Sequence, residues 1–202
     1  MGVSAAEIKL LREKTGAGIM DCKAALQASE GDVTKSIEFL RKKGLATATK
    51  KSSRATDEGS IGSYIHYGGK IGVLVEVNCE TDFVARNPEF QNLVKDLSMQ
   101  VAGSNPAPLY VRKEEVPADM IEHERAIFKA QAMESKKPEA VIEKIADGKI
   151  NKFLKSICLM EQSFLKDPEI TVSDLVAQTI SKVGENIQVR RFVRFQLGEG
   201  EV

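Results

Sequence analysis

Over the first 44 residues apolar side chains recur at helical spacing in three short runs. Ser4 followed by Glu7 is the pattern of a capping box, and Ala5, Ile8 and Leu11 then share one helical face. Thr15-Gly-Ala-Gly18 breaks that helix. Residues 20–29 make a second, with Cys22, Ala25 and Leu26 as its small apolar side. Gly31 closes it, and Asp32 caps a third carrying Val33, Ile37 and Leu40. Arg41, Lys42 and Lys43 before Gly44 are cations where a helix C-terminus favours them, so the third helix is expected to stop there. From 47 to 59 the chain is rich in Thr, Ser and Lys without an apolar period, the composition of a linker.

Beyond it the period changes. Residues 61–67 and 71–79 are β-rich runs separated by Gly68-Gly-Lys70, a hairpin signal. Asn87-Pro88 opens a helix with Phe90, Leu93, Val94, Leu97 and Val101 on one face, stopped at Asn105-Pro-Ala-Pro108. Further helices are expected over 119–134, from Pro138 to Gly148, and over 150–159. Ser173 caps another, carrying Leu175, Val176, Ile180 and Val183 and ended by Gly184. Residues 187–197 read as a closing strand through Val189, Phe192, Val193 and Phe195, covered on one face. The expected class is α+β, with a helical bundle over 1–44, a linker over 45–57, and a core over 58–202 whose helices pack on a mainly antiparallel sheet.

Composition narrows the function. The 202 residues are 42% hydrophobic and carry 29 Lys and Arg against 29 Asp and Glu. A net charge of zero argues against a protein whose main task is non-specific duplex binding. The charge is uneven: residues 1–54 hold 11 Lys and Arg against 6 Asp and Glu, and residues 55–110 hold 3 against 7. The basic head has only Phe39 for stacking, so no direct nucleic-acid partner is expected. Most of its charge reads as a solvated face. Three sparse cysteines, Cys22, Cys79 and Cys158, suit a reducing cytosol. The start has no basic and apolar leader pattern, Ala6 stands where a myristoylation signal wants Ser or Thr, and the apolar run 71–77 is too short to span a bilayer. No membrane partner and a cytoplasmic location are expected, with a bacterial and a processed organellar protein both open.

Tests for enzyme motifs fail. The pairs Gly69-Lys70 and Gly148-Lys149 have Tyr64 and Glu143 where a phosphate-binding loop needs glycine. Gly16-Ala-Gly18 meets Asp21 where a dinucleotide fingerprint needs a third glycine, and Ile127 replaces the second histidine of a zinc-protease helix begun by His123-Glu124. His66 reads as a structural strand residue beside Tyr64 and Tyr67. We therefore expect no enzyme of covalent chemistry, no cofactor and no metal. One connector breaks the usual rules. Between strand and helix, where Gly, Asn, Asp or Ser are normal, Phe83 and Val84 follow Thr81 and Asp82. Phe83 either folds back as a core plug over a turn capped by Thr81 or Asp82, or projects with Asp82 as an acidic-aromatic tip aimed at a partner.

Thr81-Asp-Phe-Val-Ala-Arg-Asn87 resembles the signature of the elongation factor Ts family, the nucleotide-exchange factors of elongation factor Tu. Leu11-Arg-Glu-Lys-Thr-Gly-Ala-Gly-Ile-Met-Asp-Cys-Lys-Ala-Ala-Leu26 is similar to a second signature. Further resemblances are Leu159-Met-Glu-Gln-Ser-Phe-Leu-Lys-Asp-Pro168 and Glu185-Asn-Ile-Gln-Val-Arg-Arg-Phe-Val-Arg194, in the family's order over nearly the whole chain. The resemblance implies a translation factor that promotes GDP release by disturbing the GTPase's magnesium and phosphate site. Asp82 and Phe83 would intrude there, framed by Thr81 and Val84. It implies a head resembling ubiquitin-associated domains that anchors on the GTPase's nucleotide-binding domain, with Leu11, Thr15, Gly16, Ala17, Gly18 and Met20 as candidate contacts. A short, single-core form implies a homodimer and an assembly of two factors with two GTPases. The apolar positions over 119–160 are expected to carry the dimer contact. The competing function is a ubiquitin-associated-type adaptor whose body is a scaffold and whose Phe83 loop is inert.

Overall fold

The computed structural model describes residues 3–134 and 138–199. Met1 and Gly2, on which the reading of the chain's start rests, lie outside the described residues. The head is α1 (Ala5–Thr15), α2 (Ile19–Ala28) and α3 (Val33–Lys51). Ser4 and Glu7 form the capping box, and the Asp32 carboxylate accepts from the Lys35 N–H. Leu11, Cys22, Ala25 and Leu26 are fully buried as the head's own core. The third helix does not stop at Gly44; it runs seven residues further, through half of the stretch expected to be linker. The reason is tertiary. Gly44 is buried against α8 (Val172–Val183), and Ala48 packs on the body's main core, so the helix continues because its far half has something to cover. The Arg41 guanidinium donates to both Asp174 carboxylate oxygens at 2.8 and 2.5 Å, and Lys51 Nζ donates to the Gly184 carbonyl.

In the body, β1 (Glu58–Ile65), β2 (Ile71–Cys79) and β5 (Ile187–Gln196) form an antiparallel sheet in the order β1-β2-β5. Val73, Val75, Val77 and Cys79 point to one face, where α5 (Pro88–Gly103) and α8 cover them with Phe90, Leu93, Leu97, Val176 and Ile180. Gly62 of β1 lets α5 approach closely; a Cβ there would stand 2.4 Å from a Val94 methyl. A bulge opposite Glu76 and Val77 adds Arg190 to β5 and explains its imperfect alternation. Val189 and Phe192 both turn inward across it. The opposite face of the sheet carries Ile61, Ile65, Leu74, Val193 and Phe195, all exposed. The cap of α8 is Thr171, two residues before the Ser173 expected, because Asp174 completes a capping box with Thr171.

From the body projects an arm of α6 (Ala118–Met133) and α7 (Glu139–Ile157). Its root holds Val116, Ile157 and Cys158 with Met120, Ile121, Phe153 and Leu154. Outward, Phe128 meets Phe153 edge-on, and Arg125 and Lys129 pair with Glu143. The two helices expected over 138–148 and 150–159 are one: Gly148 sits in open space inside α7 and does not end it. Many apolar positions assigned to a dimer contact over 119–160 are satisfied within this arm; Ile127, Met133 and Val141 stay exposed. Two short strands, β3 (Ser163–Phe164) and β4 (Asp167–Thr171), form a separate ribbon that the hydrophobic pattern did not announce.

Candidate functional site

The strand β2 ends at Cys79, and the chain turns at once into α4 (Asp82–Ala85), a single helical turn capped by Thr81. The Thr81 hydroxyl oxygen accepts from the Val84 N–H at 3.3 Å, and the Ala85 N–H donates to the Thr81 carbonyl at 3.1 Å. The core-plug reading expected a cap of this kind; the direction of Phe83 is what separates the two readings. Phe83 is 77% exposed, while Val84 and Ala85 next to it are buried in the main core. The phenyl ring is a projecting tip, and the core plug is Val84. Asp82, also exposed, pairs with Arg86 one turn on. Asn87 then caps α5 by accepting from the Glu89 N–H at 2.8 Å. The tip is therefore mounted between two caps on a buried valine.

Behind the tip lies a set of acidic contacts. Glu185, just after α8, accepts from the Thr81 N–H at 3.0 Å and the Thr81 hydroxyl at 2.7 Å. Glu80 accepts from the Asn186 N–H at 2.6 Å, and that bond, with Arg54 nearby, holds its carboxyl below the usual range. Burial, then the charge of Glu185, push the Cys79 thiol up to about 11, so it is a protonated donor to the Thr81 carbonyl and no nucleophile. Neither Glu80 nor Glu185 was singled out as a site residue. Glu185 is 104 positions from Thr81, and no spacing rule links them.

The head's candidates fall apart into three groups. Leu11 is fully buried and belongs to the head core, so it has no surface to offer a partner. Thr15 and Ala17 are half-buried, the Thr15 hydroxyl donating to the Leu11 carbonyl. Gly16, left-handed at φ 65°, lies against Lys182 of α8, and Gly18 opens α2. This turn borders a cleft of about 490 Å³ between head and body. Met20 is 73% exposed, and its neighbour Ile19, which the motif reading passed over, is 55% exposed. Among the described residues no group of three or more His, Cys, Asp and Glu is placed to hold a metal, and no helix is long and apolar enough to cross a membrane.

A family model described as Elongation factor TS matches residues 45–199. Proteins called Elongation factor Ts from Geobacter sulfurreducens and Citrifermentans bemidjiense are 59% and 58% identical over 200 residues, 99% of this chain and 92% of theirs. One from Anaeromyxobacter dehalogenans is 59% identical over 198 residues, 98% of this chain and 90% of its own. The chain belongs to the elongation factor Ts family. This is the family of the nucleotide-exchange factor of elongation factor Tu, and membership does not favour the adaptor reading, since the match runs through the body and includes the Phe83 loop that reading leaves inert. In this elongation factor Ts family member the exposed phenyl ring of Phe83 stands beside the exposed carboxylate of Asp82.

Proposed function

We propose that the tip formed by Thr81, Asp82, Phe83 and Val84 drives GDP release from elongation factor Tu by entering the neighbourhood of its magnesium site. Exchange needs no bond chemistry, so the chain acts without enzymatic turnover of its own. A factor that binds the nucleotide-free GTPase more tightly than the GDP form weakens GDP binding by the same factor that GDP weakens its own. P-loop GTPases hold phosphates with backbone amides, a lysine and magnesium, so displacing an element near the ion loosens the diphosphate. Phe83 acts as the wedge and Asp82 competes for polar contacts. Thr81 holds the turn, and Val84 anchors it from inside the core. The observation that carries this reading is Phe83 standing 77% exposed on a capped, core-anchored turn.

The rest of the body grips the GTPase, and that binding offsets the distortion at the ion site. The head, residues 1–44, anchors on the nucleotide-binding domain through Ile19 and Met20, the exposed start of α2. The body, residues 58–202, is reached through 45–57. The chain works in the cytoplasm, a reading supported by three free, buried cysteines. Two chains pair as a homodimer, and two factors engage two GTPases. The open sheet face supports pairing better than the arm, because Ile61, Ile65, Leu74, Val193 and Phe195 are exposed together on it. Light scattering reports the pairing directly. Stopped-flow release of fluorescent GDP from elongation factor Tu tests the exchange reading. The wild-type chain accelerates release, Asp82→Ala with Phe83→Ala loses most of that acceleration, and Met20→Asp raises the half-saturating concentration. Full activity of the tip double variant overturns the reading.

A further inference from the structure

We infer that Glu185 is a positioning residue for nucleotide exchange: it fixes the cap residue Thr81 from behind, and so the direction in which Phe83 is presented. The inference rests on the reading that the tip acts. The sheet's backbone ladder ends at the pair Cys79 and Ile187. Beyond it two carboxylates continue the connection reciprocally. Glu80 takes the N–H of Asn186 at 2.6 Å, and Glu185 takes the N–H of Thr81 at 3.0 Å, each the residue after the other carboxylate. Glu185 also takes the Thr81 hydroxyl at 2.7 Å, leaving that oxygen's lone pairs to cap Val84. With Cys79 Sγ at 3.2 Å from the Thr81 carbonyl, every polar atom of Thr81 is engaged. Asn186 is buried, and its side-chain amide donates to the Arg54 carbonyl at 2.8 Å, so the clasp is tied to the chain entering β1.

An isolated helical turn of four residues has no stability of its own, because nucleation fixes several dihedrals for one hydrogen bond. Thr81 and Asp82 are exposed, so their backbone has little packing to hold it on the solvent side. Charge-assisted bonds to a carboxylate are the strong kind and point in fixed directions. Glu185 therefore supplies order where the core does not reach. A wedge presented in one orientation avoids the ordering cost that a mobile one meets on engagement. That cost falls on the exchange step, whereas the grip of body and head on the GTPase does not pass through Glu185.

The test is GDP release from elongation factor Tu measured over a range of factor concentration, with amide hydrogen exchange on the free chain. Glu185→Ala is expected to lower the maximal release rate about tenfold, equivalent to about 1.4 kcal/mol, with half-saturation within about twofold and faster amide exchange confined to 81–85. Glu185→Gln, which keeps one acceptor oxygen, falls between. In a Thr81→Val background Glu185→Ala costs less than in the wild type, since part of the interaction is already gone. A full maximal rate for Glu185→Ala while Phe83→Ala is impaired overturns the inference alone. So does a rise in half-saturation at an unchanged maximal rate, which makes Glu185 a direct contact. If Glu185→Ala does not fold, Glu185→Gln decides by the same two outcomes. Full activity of Phe83→Ala sinks the reading of the tip itself.

Discussion

Asp174 lies buried at the start of α8 and receives the Arg41 guanidinium together with the Thr171 hydroxyl and N–H. Burial alone would raise its carboxyl; the bonds from Arg41 and Thr171 outweigh that and bring it below the ordinary 3.8. A folded-state value below the unfolded one favours the folded chain at every pH above 3.8, and the contribution fades as pH falls through the lowered value. Arg41→Ala is expected to cost about 1–2 kcal/mol at pH 7, toward the low end for a charged bond because the guanidinium is partly solvated. Thermal melts of wild type and variant should draw together only as pH falls from 3.8 through the lowered value, where folded Asp174 takes up its proton; a gap that does not narrow as the pH is lowered through this acid range contradicts the assignment. At this scale the caps at Ser4, Asp32 and Asn87 were legible, because their partners lie two or three residues away. Arg41 and Asp174 were not, being 133 positions apart. The direction of Phe83 was undecidable for the same kind of reason: which of two adjacent apolar residues enters the core depends on where the sheet and α5 stand.

The long helices and the three strands of the main sheet were read correctly in kind and less well in extent. Glycine served as a stop signal at Gly44 and Gly148, and both lie inside helices. A helical glycine costs only about 1 kcal/mol against alanine, so tertiary packing overrides it where a long apolar face has a partner. α3 has α8, and α7 has α6. Gly148→Ala adds a Cβ with nothing within 4 Å and is expected to stabilise the arm by about 0.8–1.0 kcal/mol. Amide protection along α7 reads this directly, and lower protection in the variant contradicts a continuous helix. The strand β5 was placed well because apolar residues interleave with polar ones along its whole length. Its bulge hides in the doublet Arg190-Arg191, which only the pairing with β2 resolves. The ribbon of β3 and β4 is too short to show a period at all.

For the whole molecule, the order of a helical head and an α+β body was open to reading, but the relation between the parts was not. The apolar stripes of α6 and α7 were assigned to a second chain because nothing in a pattern says that two consecutive amphipathic helices face each other. The structure instead leaves an apolar sheet face uncovered, with Ile65 67% and Phe195 69% exposed. A dimer through that face gives a mass about twice the 22.1 kDa chain at micromolar concentration, and Ile65→Glu with Phe195→Glu returns it to the monomer. A monomeric wild type, or a double variant that stays dimeric, contradicts this. The central claim is that an exposed ring on a rigid mount performs the exchange, and the most direct measurement is one variant read in two ways. Phe83→Ala is expected to lose most of the acceleration of fluorescent GDP release from elongation factor Tu at saturating factor while its melting temperature stays within a few degrees of wild type. Undiminished release, or the loss of about 3–5 kcal/mol of stability that truncating a buried Phe brings, would contradict it.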